Sequence, residues 1–272
     1  MRKAAMILIA ALTVFLQKAK ADWPIGKGRT TLLPGYTYFY SASNYNRSWK
    51  RAAFPNGNYF QTHVTNLSLN HGLGRSLDLL VNVPYIIQRG VNKDSVRGNS
   101  GFGDVSVGIA KHFSSSDQHR HFTAKALFMM PMYQKDSAVS LGYSSRAYSL
   151  EVNYSFAAGK AAFAIAQAAY THFFDNPEGP KQYTYTATYG RKFNMFSLAT
   201  ISFMHQESVS SNTGFNPNLF ANTSFTSGRL TLSYGRRITR TIMPMFQVSS
   251  VVYGKNAGGG FGLGVSFITR LP

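Results

Sequence analysis

Apolar and polar side chains alternate one by one through long stretches of this chain. From Ser76 to Gln88, Leu77, Leu79, Val81, Val83, Tyr85 and Ile87 take one face, while Asp78, Leu80, Asn82, Pro84, Ile86 and Gln88 take the other. A period of two belongs to a strand whose faces meet different surroundings. The run from Gly101 to Phe113 repeats it, with Val105, Val107 and Ile109 set against Asp104, Ser106, Gly108, Ala110 and His112. Each oily face continues for about ten residues, beyond the roughly five or six usual in soluble strands and enough for a tilted strand to cross a bilayer. Together the runs predict a membrane hairpin with lipid on one side and a water-tolerant lumen on the other.

Counting such runs predicts an all-β fold, a transmembrane antiparallel β-barrel of about 12 strands. They are Thr30 to Ala42, Tyr59 to His71, Ser76 to Gln88, Gly101 to Phe113, His121 to Tyr133, Ser144 to Ala157, Lys160 to Phe174, Gln182 to Lys192, Phe196 to Gln206, Asn222 to Arg236, Thr241 to Gly254 and Gly259 to Arg270. Tyr36, Tyr38 and Tyr40 share one face and read as an interfacial aromatic girdle. Val64 and Leu67 fall out of phase in the second run and predict a bulge there. The even-numbered connections are short, such as Gly72 to Arg75, Ala158-Gly159 and Asn194-Met195. The odd ones are mostly long, including the basic stretches Ser43 to Asn58 and Arg89 to Ser100, with Lys255 to Gly258 the exception. A barrel threaded from the periplasm has this asymmetry, short turns inside and long loops outside.

Targeting agrees with that location. Arg2 and Lys3 precede a 13-residue apolar run, Ala4 to Leu16, and Ala19-Lys20-Ala21 fits a small-residue cleavage site. Residues 1–21 are therefore expected to be a signal peptide and residues 22–272 the barrel. No later run approaches the roughly 18 apolar residues of a membrane helix. Cysteine is absent, which removes thiolate metal sites and cysteine nucleophiles. Removing the signal peptide leaves 24 Lys plus Arg against 10 Asp plus Glu, a balance of +14. Such a surplus calls for an acidic environment. The basic residues lie scattered over loops and strand ends, with no clustered stripe and no nucleic-acid-binding module, so nucleic acid is not the expected partner. Phosphate-rich outer-membrane lipid head groups around the rims, or an anionic small-molecule solute passing through the barrel, are.

A twelve-stranded barrel has a backbone radius on the order of 12 Å, which inward side chains reduce to a slot. Inward positions therefore decide its chemistry. Asp78, Asp104, Lys125, Glu151, Arg229 and Gln247 are the predicted lumen-lining polar residues, with Lys125 and Glu151 nearly opposite on paired strands. They read either as a selective constriction or as an interior plug that satisfies its own charges. Met204, Met245 and Leu80 on the same face make the lumen mixed enough for an amphipathic or aromatic molecule. A closed barrel acting through its basic outer loops, Arg47 to Arg51 and Arg89 to Arg97, is the alternative. A third reading, a lipid-modifying enzyme, rests on the two-residue spacing of His112 and Ser114; their short connection places them at the periplasmic end, away from the outer leaflet. No catalytic residue is expected. His119 and His121 flank the cationic Arg120 and make a poor metal site, and Gly258-Gly259-Gly260 lacks the Lys-Ser/Thr pair of a phosphate loop. No cofactor is implied.

Gly72-Leu73, Leu77-Asp78-Leu79, Val83-Pro84-Tyr85 and Gly101-Phe102-Gly103-Asp104-Val105 resemble the outer-membrane barrel proteins of the phenol meta-cleavage degradation pathway. Gly26-Lys27-Gly28 and the tyrosine-rich strand after it are similar to XagA-like barrels. The resemblance covers about the first half of the chain. It implies an outer-membrane transporter of hydrophobic or aromatic compounds and brings no catalytic residues.

Overall fold

The computed structural model describes residues 24–115, 119–133, 140–175, 179–214 and 222–271; the expected signal peptide, residues 1–21, lies outside them. The strands are β1 (Thr30–Tyr45), β2 (Arg51–Ala53), β3 (Tyr59–Gly72), β4 (Leu77–Asn92), β5 (Ser95–Phe102), β6 (Asp104–Ser114), β7 (Arg120–Pro131), β8 (Ala147–Ala157), β9 (Ala162–Phe173), β10 (Lys181–Lys192), β11 (Ser197–Val209), β12 (Phe225–Arg236), β13 (Ile242–Lys255) and β14 (Ala257–Leu271). All pair antiparallel in sequence order, and β14 closes on β1 from Thr30↔Leu271 to Tyr45↔Ala257. Two strands add no stave of their own. β2 flanks one end of β1, while β5 and β6 share β4 and form a single stave broken at Gly103. The closed barrel thus has twelve staves, and closure of β14 on β1 leaves the ring without an open seam, as lipid demands.

The pattern of burial is inverted relative to a water-soluble protein. Ile109, Leu150, Leu232 and Val248 point outward and are 49%, 54%, 53% and 54% exposed, while the inward Ser41, Thr62, Thr123 and Ser155 are fully buried. Such an apolar outer band is stable only where hydrocarbon covers it. The outward histidines His63 and His205 each meet a tyrosine hydroxyl at Nδ1, from Tyr36 at 2.6 Å and Tyr253 at 2.6 Å, which occupies one ring nitrogen of each on that surface.

Three local expectations change. Arg89 to Ser100 is not a loop: β4 and β5 stay paired from Tyr85↔Phe102 to Asn92↔Ser95, and Lys93-Asp94 is the turn. Its charges mask an alternation that continues through Ile87, Val91 and Val96. β3 has no bulge, since it keeps one register against β1 and β4 throughout. Val64 and Leu67 are each in phase with a different face, Val64 toward the lumen and Leu67 toward lipid. The register shifts instead at Ser41/Ser43 and at Gly228/Arg229. Finally, β8 and β12 begin at Ala147 and Phe225, later than Ser144 and Asn222, because those residues turn into the barrel mouth.

The neighbouring backbone crowds Gly108, where an added Cβ would stand 2.1 Å from the Ala126 carbonyl oxygen and 2.7 Å from Leu127 Cα. Backbone cannot rotate away as a side chain can. Gly108→Ala is expected to refold poorly, read as loss of the heat-modifiable gel band. Gly90→Ala, whose methyl would meet nothing closer than 3.9 Å, should refold like the parent.

Candidate functional site: a chamber in the lumen

The lumen divides into a packed half at the short-turn end and a chamber at the long-loop end. Packing starts with Asp78, which is 2% exposed. Its Oδ2 accepts the Ile25 backbone N–H at 3.1 Å and meets His112 Nε2 at 2.9 Å, so the segment before β1 is tied into the mouth. His112 Nδ1 is in turn 2.9 Å from the Thr123 hydroxyl. Ser114 lies 2.9 Å from His121 Nδ1. With both ring nitrogens of His112 engaged and Ser114 turned to His121, the predicted His112–Ser114 pair does not form. Phe163 crosses the inner wall over Gly190, packing with Ile165 and Leu198. On β7 and β8, Lys125 faces Glu151 at 3.5 Å, and Gln167 donates to the same carboxylate oxygen at 3.3 Å.

Above this layer lies a cavity of about 440 Å³. Its walls mix apolar Phe39, Val64, Ile86 and Phe173 with polar Gln182 and Gln206. Leu141, Gly142 and Tyr143 fold in from the connection before β8 and roof it. The roof is held at several points. Tyr143 donates its hydroxyl to the Asn222 carbonyl at 2.8 Å and accepts from the Gln182 amide at 2.9 Å. The Ser144 N–H donates to the Tyr133 hydroxyl at 2.9 Å, and Tyr133 hydrogen-bonds Asp104. Asn222 donates to the Asn256 carbonyl, and Asn256 donates to the Ser224 carbonyl at 2.6 Å.

Arg229 enters the chamber from β12 at the Gly228/Arg229 register shift, opposite Val251. Bulges commonly re-aim a side chain in this way. Its guanidinium carbon sits 5.7 Å from the centre of the Phe39 ring. Phe39 can lie across the wall because β14 is bare there: it pairs with Gly262, and a Cβ on Gly260 would come within 2.7 Å of the ring. That is the structural role of the glycine run. Among the described residues Arg229 has no ion pair, and Asp104 Oδ1 is buried without a hydrogen-bond partner.

The six sequence-predicted lumen residues therefore fall in separate places. Asp104 and Arg229 line the chamber, Lys125 and Glu151 pair with each other, and Asp78 holds the short-turn mouth. Gln247 packs over Gly264 and donates to the Thr37 hydroxyl at 3.3 Å. Sequence reasoning did not find Phe39, Gln182, Gln206 or the roof residues Tyr143 and Asn222. A large aromatic on an inward face opposite a glycine run was the available signal for Phe39; the roof has no periodicity to read.

No protein-family model matches the sequence, and no curated protein does. Solved structures are similar in fold. The COG4313 outer membrane channel from Pseudomonas putida F1 superposes with a TM-score of 0.76 at 15% identity, covering 94% of this chain and 100% of that one. The fold is that of bacterial outer-membrane barrels. The NanC porin gives a TM-score of 0.56 at 10% identity over 89% of this chain and 100% of its own. The KdgM porin in complex with disordered oligogalacturonate gives 0.50 at 10% identity over 86% and 98%.

Two expectations follow from this geometry. Lys125→Met strands Glu151 in the lumen wall and is expected to cost about 1–3 kcal/mol in urea unfolding, with Lys125→Met/Glu151→Leu recovering most of it. At the rim, Arg146 hydrogen-bonds Asp175 through its side chain at 2.7 Å and its backbone N–H at 2.6 Å, holding that carboxyl below its ordinary range. A carboxyl with a lowered folded-state pKa stabilises at neutral pH, and the contribution is lost as pH falls through the lowered value. Amide exchange at Arg146 should thus be protected at pH 6 and released only once pH falls below the ordinary aspartate value of about 3.9; Asp175→Ala should remove the protection already at pH 6.

Proposed function

We propose that this barrel sits in the outer membrane with its long-loop end outward and that its lumen takes up small amphipathic solutes and passes them on. The carrying observation is the chamber. Its volume of about 440 Å³ lies within the 300–1,000 Å³ usual for small-molecule sites. Its lining joins hydrocarbon and aromatic walls to a few polar groups, which suits a molecule with an apolar body and a polar head. The layer beneath it sets hydrogen bonds and the Lys125–Glu151 pair beside apolar Phe163, Ile165 and Leu198, and its polar groups can exchange partners as a solute moves. Transport is also the role named for the similar channel and porins.

Orientation follows from loop length, since outer-membrane barrels carry short periplasmic turns and longer external loops. It puts Arg47, Lys50 and Arg51, and Arg89, Lys93 and Arg97 of the β4–β5 hairpin, at the outer rim. There their charge meets phosphate-bearing lipid head groups, the partner that accounts for the basic surplus.

In a planar bilayer the refolded protein is expected to give conductance steps of reproducible size. Gly262→Leu should shrink them, because its side chain would enter beside Ser249 and Phe39. Folded protein that stays electrically silent would overturn passage and move attention to the basic rim.

A further inference from the structure

We propose that the chamber recognises organic monoanions: Arg229 binds the carboxylate of an aromatic or short acyl acid whose apolar body lies against Phe39, Val64, Ile86 and Phe173. This rests on the reading of the lumen as a solute site and specifies the chemistry of its solute.

Arg229 carries a charge into a largely apolar cavity, where its neighbour is the Phe39 ring rather than an anion. A cation–π contact attracts the charge to the ring without using its hydrogen-bond donors. No hydrogen bond engages the five N–H donors of Arg229 among the described residues, so they are available to a ligand in the chamber. A planar carboxylate fits those donors with two parallel hydrogen bonds, the strongest neutralisation a guanidinium finds in a place poor in water. Lys125 offers no such site, because Glu151 already neutralises it.

The opposite wall limits the ligand further. Asp104 and Arg229 stand six staves apart in a ring of twelve, facing one another across the same cavity. Asp104 therefore repels a second negative group and leaves an acceptor oxygen for a hydroxyl at the far end of the solute. One anionic head, an apolar body and at most a donor at the tail describe what the chamber fits.

The test is a ¹⁹F NMR titration at pH 7.5 of refolded protein in non-ionic micelles, referenced to empty micelles. The probes are 4-(trifluoromethyl)benzoate, 4-(trifluoromethyl)benzyl alcohol and 4-(trifluoromethyl)benzylammonium. The carboxylate is expected to bind about tenfold tighter than the alcohol or better, with the ammonium weakest. Arg229→Gln should erase the carboxylate's advantage and leave alcohol affinity unchanged; Arg229→Lys should retain part of it. An alcohol that matches the carboxylate, or a preference that survives Arg229→Gln, would overturn anion recognition and leave the solute chamber standing. Absence of binding by all three probes would overturn both. Should Arg229→Gln not refold, competition on the parent protein decides: benzoate must displace the fluorinated carboxylate where benzyl alcohol at the same concentration does not, and equal displacement refutes the proposal.

Discussion

Pairing of backbone amides around a closed ring is the condition on which everything else in this molecule depends. Hydrocarbon offers no hydrogen bonds, so each unpaired N–H or C=O within it costs several kcal/mol. The seam between β1 and β14 removes the last two edges, and it runs through Gly260 and Gly262 of β14, the inward positions that carry no side chain. Closure and chamber are thus made by the same strand. The ladder fixes where the backbone goes, and the missing side chains decide how much space remains inside.

Inside the ring, polarity is distributed by depth. The short-turn half is the more fully paired: Asp78 Oδ2 with Ile25 and His112, His112 with Thr123, Lys125 with Glu151, leaving Asp78 Oδ1 as its unmatched carboxylate oxygen. In the long-loop half, Arg229 and Asp104 remain incompletely matched, and the in-folded roof shields them from bulk water. A charge left with less than its full set of partners is costly in a folded protein. Two such charges on opposite walls of one cavity concentrate that cost where a visitor can relieve it.

What the sequence revealed follows from which surroundings impose a rule. Hydrocarbon requires an apolar side chain at every second position, so the outward faces of β4, β6 and β8 were legible, as was the stave number. The Lys125–Glu151 contact could be read because register across one connection is countable. The β4–β5 hairpin was hidden because beyond the bilayer charged residues such as Arg89 replace the oily signal. Val64 looked irregular because an apolar residue on the inward face answers to the chamber and not to the pleat rule. The roof could not be read at all: Leu141 to Tyr143 reach the chamber by a turn into the barrel that no periodicity announces, and Asn222 joins them from a distant connection. Asp78 was placed inward, but its partners come from the next stave and from the segment before β1, and alternation says nothing of either.

The strict division between outward and inward positions also governs how such a protein changes over evolutionary time. An outward site asks only for hydrocarbon-compatible surface, so leucine, valine, phenylalanine and isoleucine are nearly interchangeable there. An inward site answers to the space of the lumen and to its immediate neighbours. Neither demand preserves residue identity, while the hydrogen-bonded ring preserves shape regardless of which side chains hang from it. A fold held by backbone pairing can therefore keep a TM-score of 0.76 at 15% identity, its shape persisting where the side chains that hang from it do not.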